Sequence, residues 1–275
     1  MLPIGINHMT IPRASARRLL DVAKQLGAVG VELRNDLDRP LFDGETPAEF
    51  GAEAQASGTR ILALAEVKAF NQDTATKRDT AENLISTASV CGAEGVALIP
   101  HVAEATVPRP DQRTALRTAL DVLRPVLESY SMIGLIEPLG FSNSSLRFKE
   151  DVVRVLDDMQ RPACFKIVHD TFHHHLAGGG PGYADLTGIV HISGITDPAP
   201  AVDQMQDAHR VLVDADDRLG NIAQLSQLQE EGFAGPASFE AFSPEIHQFS
   251  DPTEALAGSI AFITAQLAAE PGMRA

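Results

Sequence analysis

The sequence predicts an α/β fold closed into a (β/α)8 barrel, and three observations carry that expectation. Short apolar, β-branched runs alternate with longer amphipathic segments, and the pattern repeats about every 30 residues, as β-α-β units do. Eight such runs fit into 275 residues, the size of one closed barrel. The first run ends in Asn7-His8-Met9-Thr10, where a doubly wound nucleotide-binding sheet would carry G-x-G-x-x-G.

In order, strands are expected at 3–8, 29–34, 60–65, 95–100, 132–137, 164–170, 189–193 and 237–242. Helices are expected at 14–26, 47–56, 75–91, 111–129, 149–159, 224–231 and 252–268. Pro47 and Pro252 suit first helical positions behind Thr46 and Asp251 as N-caps. Gly27, Gly58, Gly92 and Gly232 stand where helices must stop before the next strand. The glycine-rich run 178–182 lacks a following Lys-Ser/Thr and reads as a mobile loop, not a phosphate cradle. No linker or break in composition divides the chain, so residues 1–275 are expected to form a single barrel domain whose last few residues are a flexible tail.

Composition narrows the function classes. The 44% hydrophobic content is that of an ordinary globular chain. With 22 Lys plus Arg against 37 Asp plus Glu, the net charge of −15 argues against nucleic acid as a partner. No apolar run approaches the ~18 residues that span a bilayer, so no membrane partner is expected. The N-terminus places its basic residues after the apolar ones, the reverse of a secretory signal. Cys91 and Cys164 are too few for a disulfide framework or a thiolate metal site. These features together point to a cytoplasmic protein.

In a barrel of this kind, chemistry sits at the C-terminal ends of the strands. Those ends read His8, Glu32, Glu66, His101, Glu137, Asp170, His191 and Glu240. Any one strand-end carboxylate is most simply a solvated loop residue. Four equivalent positions on the last four strands change the balance. Glu137, Asp170, His191 and Glu240 form an oxygen-rich set suited to Mn²⁺, Mg²⁺, Co²⁺ or Zn²⁺. The first four are expected to line the pocket.

At this point the sequence resembles a known family, the xylose isomerase-like TIM barrels of sugar isomerases and epimerases, and most of all their 2-keto-myo-inositol (inosose) isomerase branch. The resemblance spans the chain and is carried by Ile136-Glu137-Pro138-Leu139-Gly140, Asp170-Thr171-Phe172-His173-His174-His175, His209-Arg210-Val211-Leu212, and Gly232-Phe233 leading into Ser238-Phe239-Glu240-Ala241-Phe242. It implies one divalent metal ion, Mn²⁺ favoured, on Glu137, Asp170, His191 and Glu240. It also implies His173 and Arg210 as substrate-binding residues, and Glu137 and Glu240 as catalytic groups that shuttle a proton through an enediol. The implied substrate is a small polyhydroxylated ketone of inositol or carbohydrate catabolism, and a homo-oligomer is compatible with it. His174 and His175 are read as packing or solvent residues, because three consecutive side chains cannot face one ion. Residues 213–220 depart from the family, reading Val-Asp-Ala-Asp-Asp-Arg-Leu-Gly where many relatives have Pro-Gly-x-Gly.

A ketose 3-epimerase on the same metal site is the nearest alternative. A metal-dependent endonuclease of the related apurinic branch is disfavoured by the charge of −15 and by its larger ligand set. A non-catalytic sugar-binding barrel would be missing a ligand, and all four are present.

Overall fold

A computed structural model describes residues 2–269. The expectation for the last few residues falls on 270–275, outside the described residues. Eight strands form a closed barrel in sequence order, and all neighbouring pairs are parallel, β8 closing on β1. They are β1 (Ile4–Asn7), β2 (Gly30–Arg34), β3 (Arg60–Lys68), β4 (Gly95–Ile99), β5 (Ile133–Ile136), β6 (Phe165–Asp170), β7 (Thr187–Ile192) and β8 (Ala237–Phe239). The connecting helices are α1 (Ala16–Leu26), α2 (Pro47–Ser57), α3 (Thr74–Cys91), α4 (Arg109–Ser129), α5 (Lys149–Asp158), α6 (Thr171–Leu176) and α7 (Asn221–Glu230). The short α8 (Pro244–His247) and the long α9 (Thr253–Ala269) follow β8.

Local chemistry explains the element ends. Thr46 caps α2 in a reciprocal box with Glu49, and Pro47 occupies the first turn. Gly27, Gly58 and Gly92 close α1, α2 and α3 in the left-handed conformation, at φ of 66°, 74° and 74°. The start of α9 differs from expectation. The Asp251 carboxylate accepts from the Thr253 amide and the Pro252 carbonyl accepts from Leu256, so Pro252 precedes the first helical residue.

Two apolar layers hold the barrel. The larger lies between strands and helices and includes Ile6, Leu19, Leu64, Leu98, Leu120 and Phe239. The smaller plugs the barrel interior with Leu62, Ala63, Leu135, Val168 and Ile189. This plug positions the site. Strand side chains alternate faces with a period of two, so the residue two positions after an inward plug residue also points inward, one layer higher. Leu135, Val168 and Ile189 are followed at that spacing by Glu137, Asp170 and His191, all buried. Buried Ser238 stands in the same relation to Glu240.

Cys91 and Cys164 are buried free thiols. Among the described residues, no helix is long and apolar enough to cross a membrane.

Candidate metal centre and active site

Glu137, Asp170, His191 and Glu240 each offer a ligand atom, and those atoms lie within 4.8 Å of one another. Donors around one cation at 2.0–2.2 Å stand about 3–4.4 Å apart, so the cluster needs little contraction to close on an ion. Asp170 and His191 are direct register partners on β6 and β7. The β8 backbone joins them through the Glu240 amide, which donates to the Ile192 carbonyl at 2.9 Å.

The two glutamates live in opposite environments. Glu240 Oε1 accepts from Arg34 Nη1 at 2.8 Å and from Asn7 Nδ2 at 3.2 Å. Its Oε2 accepts from Arg210 Nη2 at 3.0 Å and lies 3.3 Å from His191 Nδ1. Burial alone would favour the neutral acid, but His191, Arg210 and Arg34 outweigh it and hold Glu240 ionised, below the usual carboxylate range. Glu137 receives no side-chain or backbone hydrogen bond among the described residues. Its nearest donors are His191 Nδ1 at 3.7 Å and His173 Nε2 at 3.9 Å. Burial, reinforced by repulsion from Glu240, pushes the Glu137 carboxyl well above its ordinary value.

His191 spans the barrel. Its Nε2 lies 3.0 Å from Glu32 Oε2, and its Nδ1 faces Glu240 and Glu137 without a well-formed hydrogen bond among the described residues. Burial opposes its charge, but Glu240 and Glu32 together raise its pKa. His173 is placed by α6. Asp170 caps that helix, accepting from the His173 amide at 3.0 Å, so one residue belongs to the cluster and aims its neighbour. Gly140 makes room for this turn, since a Cβ there would collide with the His173 carbonyl. Burial lowers the pKa of His173, favouring the neutral ring.

Arg210 is 1% exposed. It donates to Asp170 Oδ2 at 2.6 Å, Glu240 Oε2 at 3.0 Å, Ser193 Oγ at 2.9 Å and Asp207 Oδ1 at 3.2 Å. Its guanidinium lies 4.6 Å from the centre of the Phe242 ring and 5.0 Å from that of Phe172. Asp207 is therefore a partner, but the contacts to two cluster carboxylates are shorter.

A divalent ion fits these residues on two grounds. First, Nδ1 of His191 is a buried ring nitrogen with no hydrogen-bond partner, aimed at three carboxylates. Second, ligation asks the cluster to release protons that its buried setting makes it hold. Without an ion the Glu137 carboxyl is pushed up by burial and by Glu240, and the His191 pKa is raised by Glu240 and Glu32, so both favour their protonated forms. A dication can take the place of those protons in offsetting the buried carboxylates.

Glu137 and Glu240 of the cluster line a 480 Å³ cavity at the C-terminal mouth, together with His173, Arg210, Phe141, Phe242 and Lys68. That volume suits a small ligand. Glu66 and His101 line it, as expected. His8 does not; its ring bonds the Ala14 carbonyl instead. Glu32 lies beneath the cavity against His191, and no residue of 213–220 reaches the lining. A 610 Å³ groove at the N-terminal ends of β3 and β4 is lined mainly by small side chains and backbone, including Gly51, Gly58 and Gly92, with no comparable cluster.

Sequence reasoning missed Arg34. The signal was available, since Glu32 and Arg34 stand two apart on β2 and so share its inward face. His174 packs its ring on His169 at 4.6 Å between centres, and neither His174 nor His175 belongs to the four-residue cluster.

Comparison with known proteins agrees with this architecture. A xylose isomerase domain-containing protein from Salmonella typhimurium LT2 superposes with a TM-score of 0.87 at 28% sequence identity, covering 97% of each chain. The IolI protein, solved with a bound zinc atom, superposes with a TM-score of 0.85 at 19% identity, covering 99% of this chain and 100% of that one. D-allulose 3-epimerase from Methylomonas sp. superposes with a TM-score of 0.73 at 18% identity, covering 97% of this chain and 98% of that one. No curated protein matches the sequence. The profile of one family matches residues 20–266, and on that match the chain belongs to the xylose isomerase-like TIM barrel family.

Proposed function

We propose that the protein is a metal-dependent isomerase that moves a carbonyl between adjacent carbons of a cyclitol ketone or sugar, as a 2-keto-myo-inositol isomerase does. The observation that carries this reading is the convergence of Glu137, Asp170, His191 and Glu240 within 4.8 Å, with Glu137 and Glu240 lining the mouth cavity. When bound, the divalent ion supplies electrophilic stabilisation of the negative charge that develops on the substrate oxygens. Mn²⁺ is the favoured ion on the donor set, and the zinc bound by the IolI protein is a second candidate.

The chain's own residues divide the remaining work. Moving a carbonyl requires removal of the proton on the neighbouring carbon, giving an enediol, and return of a proton to the other carbon. Glu240, held ionised by Arg34 and Arg210, is placed to accept a proton. Glu137, which faces the same cavity and has no hydrogen-bond donor on its carboxylate among the described residues, is placed to return it. Neutral His173 and the buried Arg210 orient hydroxyl and carbonyl oxygens at the cavity wall. A 3-epimerase would use the same groups with the proton returned to the carbon it left. The neighbouring D-allulose 3-epimerase keeps that variant in the assay.

The test is a panel of inososes and ketohexoses offered to Mn²⁺-loaded and Zn²⁺-loaded protein in D₂O, with products identified by NMR. Isomerised product carrying solvent deuterium at the carbon that gains hydrogen supports the reading. Product with no deuterium over many turnovers overturns the proton route in favour of hydride transfer, and turnover of none of the panel overturns the substrate class.

His173 and Arg210 separate in their expected effects. His173→Ala should lower turnover strongly while metal affinity stays within a few-fold, because the ring stands 3.9 Å from Glu137 and outside the four-residue cluster. Arg210→Ala should lower both, because it strips a donor from Asp170 and Glu240. Wild-type kcat/KM in His173→Ala, measured on the substrate the panel identifies, would remove that residue from the site.

A further inference from the structure

The proton route above leaves one buried carboxylate of the barrel interior without a task. Glu32 is 1% exposed and sits on β2, across the barrel from β7. Its Oε2 lies 3.0 Å from His191 Nε2, while its Oε1 has no hydrogen-bond partner among the described residues. Packing does not account for this choice, since an apolar side chain of similar volume would fill the space at lower cost. The effect of Glu32 on its partner does. An ionised carboxylate only accepts hydrogen bonds, so Nε2 of His191 must be the donor. In the neutral ring that leaves Nδ1 bare, and Nδ1 is the nitrogen that stands 3.3 Å from Glu240 and 3.7 Å from Glu137.

Without Glu32, the opposite tautomer would be preferred. The proton would move to Nδ1, where Glu240 and Glu137 would accept it, and the lone pair would turn away from the cluster. We infer that Glu32 is a positioning residue: across the barrel it holds the proton of His191 on Nε2, so that Nδ1 presents its lone pair to a divalent cation shared with Glu137, Asp170 and Glu240. The assignment rests on the four-residue metal reading and goes beyond it by naming the group that orients its only nitrogen ligand. Partners of this kind outside the ligand set contribute about 10–100-fold in metal affinity.

The experiment uses the full chain, stripped with a chelator and titrated with Zn²⁺ against a chromophoric competitor, for wild type, Glu32→Gln and Glu32→Leu. The expected result is a 10–100-fold loss of zinc affinity in Glu32→Leu, with Glu32→Gln in between because it keeps an acceptor but not the charge. ¹⁵N-resolved NMR of the zinc-loaded imidazoles should show His191 protonated on Nε2 in the wild type and that pattern lost in Glu32→Leu. A purely structural ion pair would lower thermal stability in the variants and leave affinity and ring pattern unchanged. Zinc affinity within two-fold of wild type in Glu32→Leu overturns the role of Glu32. If that variant does not fold, unchanged affinity and an unchanged His191 pattern in Glu32→Gln overturn it equally. A wild-type chain that binds no zinc or manganese overturns the metal site itself, a different outcome from the first.

Discussion

Glu240→Gln should lower turnover at least ~10²-fold, and Glu137→Gln should do the same, as expected for loss of a proton-transfer group. The two variants part company in stability, and that difference makes the prediction specific to this site. Glu240 carries hydrogen bonds from Arg34, Asn7 and Arg210, two of them from buried guanidiniums. Removing its charge leaves those guanidiniums undercompensated, a loss of about 3–5 kcal/mol for a buried pair. The melting temperature of metal-free Glu240→Gln should therefore fall by on the order of 10 °C. Glu137 has no such bonds and is repelled by Glu240, so metal-free Glu137→Gln should melt at or above wild type. Kinetics on the identified substrate and thermal unfolding of the metal-free proteins check both halves. Wild-type activity in both variants would sink the proton-transfer assignment, and a reversed order of stability would sink the electrostatic account of the pair.

Divalent metal should be required for turnover and should stabilise the fold. In the metal-free cluster the raised pKa values of Glu137 and His191 favour a proton on each, and a dication takes over the task of offsetting the buried carboxylates. At a free metal concentration of about 100 times Kd, binding to the folded state alone adds about 2.7 kcal/mol, which for a chain of this size is roughly 5–10 °C in melting temperature. Sodium chloride at the same ionic strength should not reproduce the shift, because the cluster is buried and screened little by salt. Exhaustive chelation should abolish activity, and added Mn²⁺ or Zn²⁺ should restore it. Full activity in the stripped protein, or no thermal shift with any of Mn²⁺, Mg²⁺, Co²⁺ and Zn²⁺, would count decisively against the site.

Much of the barrel was legible because its signals are local. All eight expected strands form, and the helix stops at Gly27, Gly58 and Gly92 rest on one residue's freedom to adopt positive φ. The departures mark places where partners distant in sequence decide. β3 runs on to Lys68, beyond the expected end at 65, because Val67 and Lys68 find partners in Leu98 and Ile99 of β4. β8 stops at Phe239 although the strand is expected to run to 242, because the Phe242 and Ser243 amides are drawn to the Arg210 carbonyl. α6 escaped the sequence reading because six residues, half of them histidine, show no amphipathic period; its start depends on the side chain of Asp170.

The same division runs through the candidate site. That Glu137, Asp170, His191 and Glu240 share one inward layer is a consequence of strand parity, which any stretch of sequence carries within itself. Which groups meet across the barrel is not. Glu32 and His191 are 159 residues apart, and Arg34 and Glu240 are 206 apart. Their contacts exist only once eight strands have closed with a definite stagger. The composition and periodicity of this chain determined its barrel and the layer in which its charged residues stand. The tertiary structure alone decided that one glutamate is held by two arginines while its neighbour has no donor, because burial and cross-barrel distance, not sequence spacing, set the electrostatics of buried charge.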